Sequence, residues 1–331
     1  MISLAARGLH AVQRYPWRAM MRRRRRHGLI LMYHRVAAPT WDPWNLCVSP
    51  EHFEQQLAAL CRVADVVPLS ALDWRLRAGR NGRPAVALTF DDGYADNLHV
   101  ALPLLERYGL PATVFLATGW IDRPDPFWWD RLSEVVLSIQ RLPSEVRLLV
   151  GDEELIWHRN RAGDDGRERD QLNLAVWSRL VAASDEKRAV ALSQLQGYAD
   201  CETRMDPATR PMTADEVRSL ASSPLIEIGA HTMSHCSLHD LQPDEQFEEI
   251  LGSRRQCREL TGEFPSSFAY PFGSLDAGTP ELVRSAGFER ACSTENDIVW
   301  DGGDKMLLPR VWVRDYSIRE FSARFRLVWL P

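Results

Sequence analysis

The chain has 331 residues, of which 45% are hydrophobic and 26% charged, with a formal net charge of −5. That balance suits a folded protein with a sizeable core and argues against intrinsic disorder, and nothing in it points to nucleic acid. No run of about 18 apolar residues occurs, so no transmembrane span is expected.

Residues 1–28 read as a basic arm in which Arg22, Arg23, Arg24, Arg25 and Arg26 run together. The apolar stretch after them is short, has no small-residue cleavage site and does not make a secretory signal. The arginines form either a solvated arm or a peripheral anchor to anionic lipid, where each contributes on the order of 1 kcal/mol. Six cysteines (Cys47, Cys61, Cys201, Cys236, Cys257 and Cys292) are scattered without a CxxC pair. This pattern reads as reduced thiols in a cytoplasmic protein, possessing at most a peripheral contact with the inner face of the membrane.

Residues 29–331 read as one domain. Residues 29–36 form a buried strand ending in Tyr33-His34-Arg35, followed by a loop carrying Trp41 and Trp44. Ser49-Pro50 looks like a helix N-cap and first turn, with Phe53, Leu57 and Leu60 at helical spacing. A short strand (66–67) and helix (70–77) lead to residues 85–90, whose alternation predicts a strand stopping at Asp91-Asp92-Gly93. Leu98, Leu102 and Leu105 mark a helix ended by Gly109, and 112–117 is the next strand. Strand, helix, strand in this order is the parallel α/β pattern, either a barrel or a doubly wound sheet.

The rhythm breaks over 124–211. This stretch opens with Phe127-Trp128-Trp129, is mostly helical in pattern and turns at Gly163-Asp164-Asp165-Gly166; it reads as a helical insertion on the main fold. A capping box at Thr213-Ala214-Asp215-Glu216 restarts the alternation. Strand 225–230 runs into His231-Thr232-Met233-Ser234-His235, and a helix from Asp244 is closed by Gly262. Strand 268–270 runs into Pro271-Phe272-Gly273. A helix (281–286), a strand (291–292) and an alternating, then amphipathic, end over 308–329 follow.

Two groups carry the chemistry. Asp91 and Asp92 are neighbours at a strand end, so they point apart: one carboxylate can hold a cation while the other faces a substrate. His231 and His235, four apart, would lie on one face of a helical turn and could share that cation. Asp92 with two histidines is a facial set that leaves positions open for water and substrate. The absence of Glu after His231 excludes the metalloprotease helix. Twelve tryptophans are many for this length. Trp41, Trp44, Trp120, Trp128 and Trp129 are candidates for stacking on sugar rings, although Trp128 and Trp129 suit packing of the insertion better.

Thr89-Phe90-Asp91-Asp92-Gly93, His231-Thr232-Met233-Ser234-His235 and Tyr270-Pro271-Phe272-Gly273 together resemble the polysaccharide deacetylases, the NodB-like carbohydrate esterases. The resemblance spans about 29–313 without most of the insertion. It implies an α/β fold, a distorted (β/α) barrel of the NodB-homology type with a helical insertion. It also implies metal-dependent removal of N-acetyl groups from an N-acetylated amino sugar in a surface polysaccharide, oligosaccharide or lipid-linked precursor. Asp91 matches the catalytic base. Asp92, His231 and His235 match the metal ligands, for zinc most readily, or for cobalt, nickel or manganese. Tyr270, Pro271, Phe272 and Gly273 match the substrate loop, with a backbone N–H near Phe272 offered to the oxyanion.

Two departures stand out. Members commonly carry an arginine ahead of the proline loop that orients the base, and Phe268-Ala269-Tyr270 stands there instead. The late Leu-x-His motif that supplies the general acid is also missing, since none of the nine histidines lies beyond His239. A circularly permuted subgroup acting on exopolysaccharide carries that histidine on an early strand as Tyr-His, which Tyr33-His34 resembles, so His34 is the expected acid. Sugar O-deacetylation or deformylation would use the same site, and a metal-holding carbohydrate-binding protein without turnover is the reading from outside the enzymes. No protein partner is expected.

Overall fold

The computed structural model describes residues 27–78, 83–159, 165–199 and 209–329. Arg22 to Arg26, Cys201 and part of the turn at 163–166 lie outside them. The other five cysteines carry free thiols.

The main sheet is built on parallel strands. Its spine is His27–Tyr33, Ala85–Phe90, Ala112–Leu116, Ile226–Ala230, Ser267–Ala269 and Arg290–Cys292, each hydrogen-bonded to the next. Asp65–Val66 extends it beside the start of Ala85–Phe90, and Val299–Trp300 joins antiparallel to His27–Tyr33. Ala85–Phe90 is buried along its whole length, as expected of a parallel strand covered on both faces. The curl is tied together by residues 308–313. Leu308 pairs with Cys292 at one edge of the sheet, while Val311–Trp312 pairs in parallel with Leu31 and Met32 at the other. The result is a distorted barrel, the one of the two parallel α/β architectures that the family resemblance implies.

Local signals in the sequence account for the helices that wrap the sheet. Ser49 accepts the N–H of His52 to cap Pro50–Val63. Thr213 and Glu216 form the reciprocal capping box that starts Ala214–Ala221. Gly109 and Gly262, in left-handed conformation, end Leu102–Tyr108 and Pro243–Thr261.

The insertion differs from its expected form. Between helices Trp128–Ser138 and Asp165–Leu180 lies a β-hairpin, Glu145–Val150 paired antiparallel with Glu153–His158. Val146 and Leu148 on one strand and Leu155 and Trp157 on the other point inward, while their neighbours are mostly exposed. This is the period-two alternation of a half-buried hairpin, turning through Gly151 at φ 64°. With helix Asp185–Gln196 the insertion builds a second hydrophobic cluster, joined to the barrel through Tyr94, Ala117 and Trp120.

Candidate active site

The C-terminal ends of the parallel strands converge on one rim, where ligands of such folds bind. Asp91 leaves strand Ala85–Phe90 and donates its N–H to the Tyr33 carbonyl at 3.0 Å. The Gly93 N–H returns to the Asp91 carbonyl at 3.0 Å across Asp92, whose φ is 75°. This three-residue γ-turn is a strained conformation and needs glycine after it. Gly93 has φ 86°, and a Cβ there would stand 2.8 Å from Leu116 Cδ2. The turn separates the two carboxylates and gives them different surroundings.

Asp92 faces the histidines. His231 Nδ1 donates to the Ala269 carbonyl at 2.7 Å, so its Nε2 carries the lone pair, 3.5 Å from Asp92 Oδ1. His235 Nε2 lies 3.1 Å from the same oxygen, and one ligand atom from each of the three residues falls within 4.8 Å of the others. All three are buried, and Asp92 Oδ1 has no hydrogen-bond partner among the described residues. Burial holds His231 down at about 4 and His235 at about 3, so both are neutral near pH 7, while burial pushes Asp92 up. A buried, partnerless carboxylate oxygen facing two neutral imidazole nitrogens fits a divalent cation.

The segment joining the two histidines is not the helical turn its spacing suggests. Residues 231–235 form a loop with Thr232 at φ 60° and His235 at φ 56°. The imidazoles meet because the chain reverses, with ring centroids 4.8 Å apart.

Asp91 faces Arg310. The guanidinium grips the carboxylate bidentately, with Nη1 and Nη2 each 2.7 Å from an oxygen, and it is fully buried. Nε donates to the Ser293 carbonyl at 3.0 Å, which fixes the plane of the fork. Burial alone would raise Asp91. The charge of Arg310, with smaller help from His231, outweighs it and holds the carboxyl well below the usual range. Arg310 therefore stands where the stretch ahead of the proline loop lacks an arginine. It arrives from the barrel-closing segment, 219 residues along the chain.

His34 follows the first strand and is half-buried. Its Nδ1 is shielded from solvent without a hydrogen-bond partner among the described residues, and its ring lies 5.8 Å from that of Trp312. Burial lowers its pKa, against opposing pulls from Asp92 and then Asp91. The charges of both carboxylates reach it, so it borders the same centre.

The substrate-loop residues divide. Tyr270 is fully buried, with its hydroxyl donating to the Met306 carbonyl at 2.8 Å, and Pro271 is also buried. Gly273, at φ 67°, lies so close to Thr294 that a Cβ would overlap its hydroxyl. Phe272, at φ 57°, is half-buried and packs edge-on against His235 at 4.5 Å. Trp129 covers another side of His235 at 4.6 Å. Trp120, Trp128 and Trp129 are buried packing residues, and Trp120 donates to the Ser234 carbonyl at 3.1 Å. Trp41 and Trp44 stay half-buried, and Trp44 meets Trp177, which touches Phe272 at 5.8 Å. Trp177 escaped the sequence reading because it lies inside the insertion's helical pattern.

Fold and site together fit a hydrolase with a candidate carboxylate–histidine cation site at the mouth of a parallel barrel. A polysaccharide deacetylase family model matches residues 78–152 and 177–291, more than half of the chain. The chain belongs to the polysaccharide deacetylase family, enzymes that act on carbohydrate. The Bacillus subtilis protein YxkH is 33% identical over 89 residues, 26% of this chain, and the match spans only 30% of that relative's length. Among solved structures, the Streptococcus pyogenes deacetylase PplD in complex with acetate matches at TM-score 0.59 and 17% identity, covering 93% of this chain and 100% of PplD. IcaB from Ammonifex degensii matches at 0.57 and 18%, covering 90% and 96%. BC0361, a polysaccharide deacetylase from Bacillus cereus, matches at 0.57 and 15%, covering 90% and 69%. These likenesses establish the shared fold.

Proposed function

We propose that the protein removes N-acetyl groups from an N-acetylated amino sugar, in a surface polysaccharide or one of its oligosaccharide or lipid-linked precursors, using one divalent cation. The observation that carries this reading is the division of labour at the Asp91-Asp92 turn. One carboxylate has an oxygen without a hydrogen-bond partner among the described residues and faces two neutral imidazoles; its neighbour is ionised and clamped by Arg310.

Asp92, His231 and His235 would hold the cation, and their one-oxygen, two-nitrogen set suits zinc, with cobalt, nickel or manganese as substitutes. A cation held there would supply Lewis-acid polarisation of the acetyl carbonyl and would make water more acidic. Asp91, kept ionised and aimed by Arg310, accepts the proton of the attacking water. The backbone N–H of Phe272 is the proposed protein donor to the oxyanion that forms. Burial leaves His34 neutral in the resting site, so it acts as a relay, taking up the proton and passing it to the nitrogen as the C–N bond breaks. The products are acetate and the protonated amine. Half-buried Trp44, Trp177 and Phe272 offer apolar ring faces beside the centre, which suits a pyranose ring.

The test is acetate release by the metal-loaded protein from matched N-acetyl and O-acetyl sugars, free and polymeric, with and without chelator. N-deacetylation abolished by chelator is expected. His34→Ala should slow the amide about 10²- to 10⁴-fold and the ester less, because an amine must be protonated to leave. Release from esters alone would replace this reading with O-deacetylation, and no release from any substrate would favour a binding protein.

A further inference from the structure

The two ligand histidines are joined by a turn with two non-glycine residues in left-handed backbone, Thr232 and His235. Such strain persists only where the surroundings over-determine the conformation. The carbonyls of the turn are held on one side by three consecutive residues. Thr118 N–H donates to Thr232 O at 3.1 Å, Gly119 N–H to Met233 O at 2.8 Å, and Trp120 Nε1 to Ser234 O at 3.1 Å. Two amides of the turn point the other way, toward helix Pro243–Thr261. There one side chain receives both: Glu249 Oε2 accepts from the N–H of Met233 at 2.8 Å and of Ser234 at 2.9 Å, while Oε1 accepts from the Ser234 hydroxyl at 2.9 Å.

The helix is built to bring that carboxylate in. Glu249, Gly252 and Gln256 fall at i, i+3 and i+7, on one face. A Cβ on Gly252 would overlap the Met233 thioether, so the glycine allows the close approach. Gln256 Oε1 accepts from Thr118 Oγ1 at 2.6 Å and ties the same face to the carbonyl-holding segment.

We propose that Glu249 is a positioning residue of the cation site: its two oxygens hold the 232–234 turn in the shape that points both imidazoles at Asp92. The proposal rests on Asp92, His231 and His235 binding a cation. Its test reads metal affinity and not activity. Zinc is titrated into the full-length metal-free protein against a competing chelator, with wild type, Glu249→Ala, Glu249→Asp, Glu249→Gln and, as the site control, His231→Ala. Outer-shell partners of metal ligands are typically worth 10- to 100-fold in affinity, so Glu249→Ala should lose about that much. Glu249→Asp keeps the charge but draws the oxygens back by one methylene, and should fall with Ala. Gln keeps the reach and one oxygen for both amides, and should stay within about threefold of wild type. These two isosteric or near-isosteric variants carry the test if Ala fails to fold. Wild-type affinity in the Asp variant, or a Gln variant as weak as Asp, would overturn the proposal. A fall in unfolding midpoint without a change in affinity would also overturn it, assigning Glu249 to stability alone. Wild type binding no more zinc than His231→Ala would remove the cation site, and the proposal with it.

Discussion

Arg310 is the residue on which the catalytic reading turns. Its guanidinium and the Asp91 carboxylate are both buried and joined by two hydrogen bonds, so neither can lose its partner without leaving a bare charge in the interior. Arg310→Met should destabilise the protein by about 3–5 kcal/mol in urea unfolding. Where it still folds, it should lower kcat by about 10²-fold, the usual cost of a misplaced catalytic group. Arg310→Lys keeps the charge but not the fork, and should fall between the two. An Arg310→Met enzyme with wild-type kcat would show that Asp91 needs no orienting partner. Asp92, His231 and His235 were legible in the sequence as a candidate group because each follows a predicted strand in a recognisable motif, although the helical turn their spacing suggested is not what brings the histidines together. Arg310 was not, because the pair spans 219 residues and depends on which strands close the barrel. The sequence shows an arginine missing from one place; only the fold shows another brought to the same carboxylate.

At the scale of elements, local rules carried well where they depended on short-range hydrogen bonds. The capping box at Thr213 and Glu216 formed as the residues dictate, and Glu216 also receives Arg210 through both oxygens, at 2.6 and 2.7 Å. Arg210's hydrogen bonds are the largest influence that draws the Glu216 carboxyl down to about 2. A carboxyl depressed in the fold stabilises it above its ordinary pKa of about 4.3, and that contribution is lost as pH falls through about 2. Glu216→Gln should therefore lower the unfolding midpoint at pH 7, and the gap to wild type should shrink steadily between pH 5 and 2. A gap independent of pH would mean that the charge of Glu216 plays no part. The same local reasoning misjudged residues 231–235. A four-residue histidine spacing suits a helix, yet left-handed Thr232 and His235 reverse the chain, and tertiary hydrogen bonds outweigh local preference there. The hairpin Glu145–His158 was readable from its alternation and its Gly151-Asp152 turn, but the helical pattern on either side masked it.

For the whole molecule, strand-helix-strand order was enough to imply a parallel α/β fold but left barrel and doubly wound sheet open; the family resemblance pointed to the barrel, and the rim of its strands gathers Asp91, Asp92, His231 and His34 from distant parts of the chain. What the order could not give was the closure. Residues 308–313 bond both to Arg290–Cys292 and to His27–Tyr33, and so deliver Arg310 beneath Asp91 and Trp312 beside His34. The insertion adds a second hydrophobic cluster whose Trp129 packs against His235, and half-buried Trp177 extends the aromatic wall from there. The central claim is that the adjacent aspartates have separate duties, one holding a cation and one serving as base. The most direct measurement compares Asp91→Asn with wild type for zinc stoichiometry and for acetate release from an N-acetylated amino-sugar oligosaccharide. The account predicts one zinc per chain in both proteins and a turnover at least about 10²-fold lower in the variant, the usual contribution of a general base. An Asp91→Asn protein that keeps its zinc and releases acetate at the wild-type rate would contradict it.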